Sequence, residues 1–118
     1  TDLEVWRHQH AHGKLGKAKE YIDRHYAEPL TLEEVAEHAG MSPYYFSKLF
    51  KEQFGVTFID YVTNVRIERA KEALVRTDFS LKEICFSVGY NDPNYFSRVF
   101  KKQTGWSPSE YRKKLQRR

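Results

Sequence analysis

Residues 43–55 read PYYFSKLFKEQFG, and residues 93–105 read PNYFSRVFKKQTG. Eight of these thirteen positions are identical at a shift of 50, and the match reaches Tyr61 and Tyr111 further along the chain. Upstream the shift becomes 49 and pairs Gly40 with Gly89, so one extra residue lies in the second copy, within 90–92. The sequence therefore contains one structural unit twice.

Each copy carries the signals of a short helix, a turn and a second helix. In the first copy, Thr31-x-x-Glu34 is a capping-box pattern, Gly40 is a helix-ending glycine, and Ser42-Pro43 begins the next helix. The second copy repeats these signals at Ser80, Glu83, Gly89, Asp92 and Pro93. Both copies are therefore predicted to be helix-turn-helix units.

The second helix of each copy has one apolar and one polar face. Apolar side chains recur at i, i+3 and i+4, which predicts a stripe that packs into the core. The stripe consists of Phe46, Leu49 and Phe50 in the first copy and of Phe96, Val99 and Phe100 in the second. The outward face holds Tyr44, Ser47, Lys48 and Lys51 in the first copy and Asn94, Ser97, Arg98 and Lys101 in the second. Between the two copies the core residues are similar, whereas the outward Tyr44 is replaced by Asn94. Two helices that recognise different base sequences would require this pattern.

The outward side chains suit contacts with DNA. Arg98 can donate two hydrogen bonds to guanine, Asn94 suits adenine, and Lys48 suits guanine or phosphate. We predict base reading by Tyr44, Ser47, Lys48, Asn94, Ser97 and Arg98. Phosphate contacts, which fix the register on the duplex, are predicted for Ser42, Lys51, Lys101, Lys102, Ser107 and Lys113. The alternative is an ordinary solvated face.

The charge distribution favours an anionic partner, although a solvated basic C-terminus is the alternative. The net charge is +4, with +6 in residues 80–118 and −2 in residues 31–55. The single cysteine excludes an internal disulfide and favours a reducing cytosol, so the expected location is cytoplasmic. We predict no membrane association, because no apolar run approaches the length of a membrane span.

The segment between the copies is predicted to be one continuous helix. Residues 57–76 contain neither Pro nor Gly, and apolar residues recur there at helical spacing. Such a helix is roughly 30 Å long, close to the ~34 Å repeat of successive major-groove faces on one side of B-DNA. The predicted organisation is a linker tail from a missing upstream domain (1–13), a first helix-turn-helix subdomain (14–56), a connecting helix (57–76) and a second subdomain (77–118).

The chain resembles the AraC/XylS family of bacterial transcription regulators over about residues 15–114. The motifs that carry the resemblance are PLTLEEVA (29–36), YFSKLFKEQFG (45–55), VGYND (88–92), NYFSRVFKKQTG (94–105) and SPSEYR (107–112). The resemblance implies an all-α fold in which two helix-turn-helix subdomains are joined by a long linker helix. The seven helices are expected near 14–27, 31–39, 43–54, 57–76, 80–88, 92–104 and 107–115.

The resemblance also implies the partners and the placement of the reading residues. The third and sixth helices are expected to enter adjacent major grooves of double-stranded DNA, at an operator with two boxes about one turn apart. Pro93 departs from members that have a longer polar side chain there, so Asn94 and Arg98 are expected to dominate the second helix. Further expected partners are RNA polymerase and an upstream sensory or receiver domain, and the fragment is expected to be monomeric.

Two features point towards other chemistry. Cys85 could be a nucleophile, but it aligns with Ala36 on the inward face of a short helix, so a small buried hydrophobe is favoured. His8, His10 and His12 alternate and could hold a metal in an extended segment. A solvated linker is favoured there, because no Cys or carboxylate cluster completes a site. We therefore predict no catalytic residue, no metal and no cofactor.

Three functional classes remain, and sequence-specific DNA binding by a transcription regulator is favoured. The second is a helical protein-interaction module that has lost DNA binding, which a large exposed apolar patch would favour. The third is an enzyme domain, because some DNA-repair alkyltransferases carry a related domain with two helix-turn-helix subdomains. That chemistry needs a reactive exposed cysteine, so we predict that the chain is not an enzyme.

Overall fold

The computed structural model describes residues 1–116, except for the side chains of residues 7–9, 11 and 12. Within these residues the regular secondary structure is entirely helical, which confirms the predicted all-α class. The seven helices of this part are α1 (Asp2–His25), α2 (Leu32–His38), α3 (Pro43–Phe54), α4 (Phe58–Arg76), α5 (Leu81–Ser87), α6 (Pro93–Thr104) and α7 (Pro108–Leu115). The bounds of α2 to α7 agree with the predicted ones to within one residue.

The predicted start of the first helix is wrong. Helix α1 begins at Asp2, whereas the sequence pattern placed its start near residue 14 and a linker before it. The early part lacked a visible period because its large apolar side chains, Leu3, Val5 and Trp6, are exposed and mark no buried face. The Thr1 hydroxyl accepts a 3.2 Å hydrogen bond from the Glu4 N–H, which satisfies one of the free donors at the helix start. The origin of residues 1–13 in an upstream domain stays a prediction.

The chain forms two compact units. Unit 1 contains residues 1–25 and 29–62, and unit 2 contains residues 26–28 and 63–118. Helix α4 contributes Phe58–Val62 to unit 1 and Thr63–Arg76 to unit 2. Each unit therefore holds one helix-turn-helix pair, α2–α3 in unit 1 and α5–α6 in unit 2.

The core of unit 1 is built around aromatic rings from α3 and α4. Phe46 and Phe50 are fully buried, as predicted, and the Phe50 ring lies 5.5 Å from the Tyr61 ring at an interplanar angle of 74°. The Tyr61 hydroxyl donates a 2.7 Å hydrogen bond to Asp23 Oδ1. Burial and this neighbouring carboxylate raise the pKa of Tyr61 above its ordinary value, so the hydroxyl stays protonated and keeps donating.

The core of unit 2 repeats that of unit 1. Phe96 and Phe100 are buried, and the Phe100 ring lies 5.4 Å from the Tyr111 ring at 82°. The repeat also includes the first helix of each unit, since buried residues recur at the same spacing in α1 and α4, at a shift of 52. These buried residues are Leu15, Ala18 and Ile22 in α1 and Ile67, Ala70 and Leu74 in α4. The sequence comparison missed this match because the shift differs from 50.

Cys85 lies in the core of unit 2, as predicted. The residue is fully buried, and its Sγ lies 3.7 Å from the Tyr90 carbonyl oxygen, to which it can donate a weak hydrogen bond. Burial raises the pKa of the Cys85 thiol, which disfavours the reactive thiolate. The side chain is therefore a small core residue rather than a nucleophile.

The predicted helix-ending glycines both adopt left-handed backbone conformations. Gly40 has a φ of 70° and Gly89 a φ of 104°, and each lies two residues after the last residue of a short helix. In the second turn the Gly89 N–H donates to the Phe86 carbonyl and the Tyr90 N–H to the Cys85 carbonyl, which is a Schellman motif. A Cβ on Gly89 would lie 2.9 Å from the Tyr26 carbonyl oxygen, so this turn also needs the absence of a side chain.

Two arginines donate hydrogen bonds to backbone carbonyls within unit 2. Arg66 donates from Nε to the Tyr26 carbonyl at 2.8 Å and from Nη2 to the Glu28 carbonyl at 3.1 Å. Arg112 donates in the same way to the carbonyls of Leu74 and Thr77, at 3.0 and 3.2 Å. The Arg112 side chain is half-buried and has this structural role.

Candidate nucleic-acid interface

Helix α3 begins and ends as its sequence signals predict. The Ser42 Oγ accepts a 3.2 Å hydrogen bond from the Tyr45 N–H, and Pro43 occupies the first turn. At the other end Gly55 has a φ of 78°, and its N–H donates to the Lys51 carbonyl at 2.9 Å. These contacts fix the length of α3 at 12 residues and therefore fix which side chains face outward.

Helix α6 has the same length and the same end, but a different cap at its start. The Asp92 carboxylate accepts a 2.9 Å hydrogen bond from the Asn94 N–H, and Pro93 again lies in the first turn. Gly105 closes the helix with a φ of 84° and a 2.8 Å hydrogen bond to the Lys101 carbonyl. Because α3 and α6 have the same length and matching ends, each outward position of α3 has an equivalent outward position in α6.

The six predicted base-reading residues lie on the outward faces of α3 and α6. Tyr44 is 80% exposed, and Lys48, Asn94 and Arg98 are also exposed. The two serines are half-buried, so their short side chains lie deeper in the helix surface than their neighbours. Each helix therefore presents three of the predicted base-reading residues on its outward face. The contacts of these residues with bases stay a prediction.

Arg98 has an aromatic neighbour that the sequence analysis did not assign to the site. Its guanidinium carbon lies 5.9 Å from the centre of the Tyr95 ring, within the range of a cation–π contact. Tyr95 is half-exposed, and its ring lies 5.9 Å from that of Tyr90, which is buried. The i, i+3 spacing of an aromatic residue and an arginine was the signal in the sequence that could have identified this pair.

The two serines of the predicted phosphate set cap helices. The Ser42 and Ser107 hydroxyl oxygens each accept a hydrogen bond from a backbone N–H three residues on, at 3.2 Å in both cases. In this arrangement the hydroxyl proton is directed away from the N–H and can donate to another acceptor. Ser107 also has the Ser109 hydroxyl at 3.3 Å, so its proton has a competing acceptor within the protein.

The lysines of the predicted phosphate set are exposed. Lys51 lies in the last turn of α3, Lys101 and Lys102 in that of α6, and Lys113 in that of α7. A cation in the last turn of a helix is also favourable through the helix dipole alone. Their exposure and charge fit phosphate contacts, and this assignment stays a prediction.

The comparison with known proteins identifies the family. Residues 35–114 match the family model described as a helix-turn-helix domain. The C-terminal domain of AraT, a response regulator from Geobacillus stearothermophilus, has 40% sequence identity and a TM-score of 0.86, with coverage of 89% of this chain and 88% of that one. This chain belongs to the AraC-type family of DNA-binding transcription regulators.

Two further relatives of this AraC-type domain bear on its function. The DNA-binding domain of AdpA, solved in complex with a target DNA, is 26% identical with a TM-score of 0.82, and the match covers 85% of this chain and 90% of that one. The regulatory protein PocR of Salmonella typhimurium is 40% identical over 102 residues, which are 86% of this chain and 34% of PocR. The chain therefore spans about a third of the length of PocR.

Two other kinds of site are absent from the described residues of the AraC-type domain. Across residues 1–116, no helix is long and apolar enough to cross a membrane. Among the described side chains, no three His, Cys, Asp or Glu residues come together as metal ligands would. His10 instead stacks on Trp6, with ring centres 4.8 Å apart, and the backbone there is helical rather than extended. His8 and His12 have side chains outside the described residues.

Proposed function

We propose that this AraC-type domain binds double-stranded DNA sequence-specifically, with α3 and α6 in adjacent major grooves. The observation that carries the proposal is the match between two 12-residue helices with equivalent core faces and equivalent ends. Their outward residues differ at Tyr44 and Asn94 and at Lys48 and Arg98. Two helices that share their core faces and their ends, but differ in their outward side chains, suit the recognition of two different base sequences.

The proposed mechanism separates affinity from specificity. Exposed lysines at the ends of α3 and α6 contact phosphates, and the counterions that they release make binding weaken with salt. Arg98 and Asn94 read base edges in one groove, while Tyr44 and Lys48 read the other. Ser47 and Ser97 are short and half-buried, so they allow each helix to approach the bases closely. The solved complex of the similar AdpA domain with DNA supports binding of this general kind.

The length of α4 supports an operator with two boxes. The helix has 19 residues without a break and is therefore roughly 28 Å long. This length is comparable with the ~34 Å that separates successive major-groove faces. A monomer with two unlike reading helices would need no palindrome, in contrast to a symmetric helix-turn-helix dimer.

The remaining expected partners are those of a longer protein that would contain this domain. AraT is a response regulator, which supports an upstream receiver or other sensory domain for this chain. RNA polymerase is the expected second partner of a transcription regulator, and the bacterial cytoplasm is the expected location. The described part of the chain itself is expected to be monomeric in solution.

The protein-interaction and enzyme alternatives receive less support. A protein-docking role for α3 and α6 would favour apolar outward faces, but these helices present mainly polar and cationic side chains. An alkyl-transfer activity would need an accessible thiolate, but Cys85 is buried and the pKa of its thiol is raised. An alkylating probe that modified native Cys85 as fast as the unfolded chain would contradict the non-enzymatic assignment.

The decisive experiment is selection of bound sequences from a randomised duplex pool, followed by fluorescence-anisotropy titration at two salt concentrations. We expect an enriched site with two unlike boxes about one turn apart, bound by one protein molecule and weakened steeply by salt. Salt-sensitive binding without enrichment would reduce the domain to a non-specific DNA-binding protein. No binding at low salt would favour the protein-interaction module.

A further inference from the structure

One position of the repeat changes from a large ring to a small side chain. Phe54 ends α3 in unit 1, and Thr104 occupies the equivalent position at the end of α6 in unit 2. In unit 1 the Phe54 ring lies 4.6 Å from the Phe50 ring and 6.4 Å from the Tyr61 ring. The ammonium of Lys19 lies 5.7 Å from the Phe54 ring centre. The space between the end of α3 and Tyr61 is therefore filled by the Phe54 ring, with a cation beside it.

Thr104 leaves the corresponding place in unit 2 open. Its Oγ1 lies 2.8 Å from the Phe100 carbonyl oxygen and accepts a 3.1 Å hydrogen bond from the Trp106 N–H, so the side chain is held against the backbone. Beside it is a cavity of about 330 Å³. The residues that line this Thr104 cavity and enter the argument are Lys71, Thr104, Trp106, Tyr111, Lys114 and Leu115.

The Thr104 cavity has the size and the walls that a small aromatic ring requires. A cavity of about 150 Å³ is enough to hold benzene, and ligand sites in proteins begin at about 300 Å³. Tyr111 and Trp106 provide aromatic surfaces, and Leu115 adds an aliphatic one. Tyr111 is the repeat partner of Tyr61, so a ring in this cavity would meet the tyrosine that Phe54 meets in unit 1.

Two lysines place positive charge at the Thr104 cavity. Lys71 is equivalent to Lys19 at the shift of 52 that relates α1 and α4, and it donates a 2.8 Å hydrogen bond to Glu68 Oε1. That bond uses one of the three protons of the ammonium. Lys114 comes from α7, and its Nζ lies 4.2 Å from the centre of a Trp106 ring.

Two carboxylates are also close to these lysines. Glu68 is largely exposed, and Glu110 caps α7 through its hydrogen bond from the Ser107 N–H. Both carboxylates therefore have solvent or protein partners outside the cavity, and neither lines it. The charged groups that line the cavity are lysines, which favours an anionic ligand over a cationic one.

We propose that the Thr104 cavity is a binding site for a small aromatic carboxylate. Its ring occupies the place that Phe54 fills in unit 1, and its carboxylate accepts hydrogen bonds from the ammonium groups of Lys71 and Lys114. None of the outward residues of α6 lines the site. The inference does not depend on DNA binding and can be tested without DNA.

The test uses phenylacetate as the probe and Trp106 as the reporter. The chain has two tryptophans, so a Trp6→Phe background leaves Trp106 as the single source of indole emission. We expect a saturable change in Trp106 fluorescence below about 10 mM phenylacetate, a range that covers millimolar dissociation constants. Saturation-transfer NMR on the same samples detects binding that leaves the emission unchanged. Absence of a saturable signal in both measurements would overturn the proposal.

Matched variants then locate the site. Thr104→Phe refills the cavity and is expected to weaken phenylacetate binding at least about tenfold, whereas Thr104→Val removes the hydroxyl, leaves the space open and is expected to retain binding. Lys71→Gln and the neutral probe phenylacetamide are each expected to weaken binding several-fold, and these two tests do not depend on correct folding of Thr104→Phe. Lys102→Gln, an exposed change outside the cavity, is the charge control. Binding that is unchanged in both Thr104→Phe and Lys71→Gln would place the ligand elsewhere and contradict the proposal.

Discussion

Arg66 Nε donates a 2.8 Å hydrogen bond to the carbonyl oxygen of Tyr26, 40 residues earlier in the chain. The same guanidinium also donates to the Glu28 carbonyl and lies 5.4 Å from the centre of the Tyr90 ring. One side chain thus satisfies two backbone acceptors after α1 and packs on the turn before α6. Residues 26–28 therefore form part of unit 2.

We therefore expect Arg66→Ala to lower the free energy of unfolding by about 2–3 kcal/mol. Hydrogen bonds from a charged donor contribute about 1.5–3 kcal/mol, and the variant leaves two carbonyl groups without this donor. Urea denaturation followed by circular dichroism measures the change. Arg76→Ala, at an exposed position in the same helix, is the matched control and should stay within about 0.5 kcal/mol of the parent. Equal effects of the two changes would contradict the role of Arg66.

Gly89→Ala is expected to be the most damaging of three glycine substitutions. Its φ of 104° costs an L-residue about 1–2 kcal/mol, and the 2.9 Å approach of a Cβ to the Tyr26 carbonyl adds about 1–3 kcal/mol. Gly105→Ala has a φ of 84° but open space, so only the backbone cost applies. Gly16→Ala, inside α1 with nothing within 4 Å, should stabilise by about 0.5–1 kcal/mol. Thermal unfolding of the three variants should reproduce this order.

Arg98→Ala is expected to weaken binding to the selected operator by about 1–3 kcal/mol and to relax the preference at one base pair. Lys51→Ala should instead weaken all sequences about equally and reduce the salt slope by about one unit, because it removes a phosphate contact. Anisotropy titrations of cognate and random duplexes distinguish the two patterns. A uniform loss for Arg98→Ala would remove its base-reading role.

Tyr95→Ala is expected to weaken cognate DNA binding through Arg98. Loss of the ring that lies 5.9 Å from the guanidinium should cost about 0.5–1 kcal/mol of binding free energy. Tyr95→Phe keeps the ring and should bind like the parent. In an Arg98→Ala background the Tyr95→Ala change should have no further effect, which a double-mutant cycle measures. Additive losses would show that Tyr95 acts on DNA by itself.

The capping boxes of α5 and α7 predict a loss of stability in acid. Hydrogen bonds from Ser80 to Glu83, and from Ser107 to Glu110, lower the pKa of both carboxyl groups below their ordinary value of 4.5. Since the folded state favours the ionised form, this stabilisation is complete above pH 4.5 and is lost as the pH falls through the lowered values. The double variant Glu83→Gln/Glu110→Gln should show a flatter fall in unfolding free energy below pH 4.5. Glu52→Gln, near the end of α3, is the control and should keep the steeper fall.

Local signals predicted most of the fold. Ser42, Gly40 and their counterparts specify helix ends through contacts within a few residues, so helices α2 to α7 could be placed to within one residue. The start of helix α1 was not predicted, because the described side chains of its first half form no buried apolar stripe, and because Gly13 and Gly16 lower the helical preference. The Thr1 hydroxyl accepts a hydrogen bond from the Glu4 N–H in the first turn, and the absence of periodicity concealed this local signal.

The roles that depend on distant contacts could not be predicted. In the sequence, nothing distinguishes Arg112 from the other cations of the basic C-terminus. In the structure, its partners are backbone carbonyl groups 35 and 38 residues earlier in the chain. The cavity beside Thr104 was not predicted, because its size depends on how Lys71 and Trp106 are placed around it. The outward residues of α3 and α6 were found from periodicity alone, because exposure on a helix follows directly from its period.

The buried clusters of units 1 and 2 have no residue in common among the described residues. A substitution in one cluster therefore changes no buried residue of the other, and the outward side chains lie in neither. In evolutionary terms, such a chain can change the recognition of one half-site while the other half-site preserves binding. Duplication of one unit followed by divergence of two or three surface residues would be enough to create a new regulatory target.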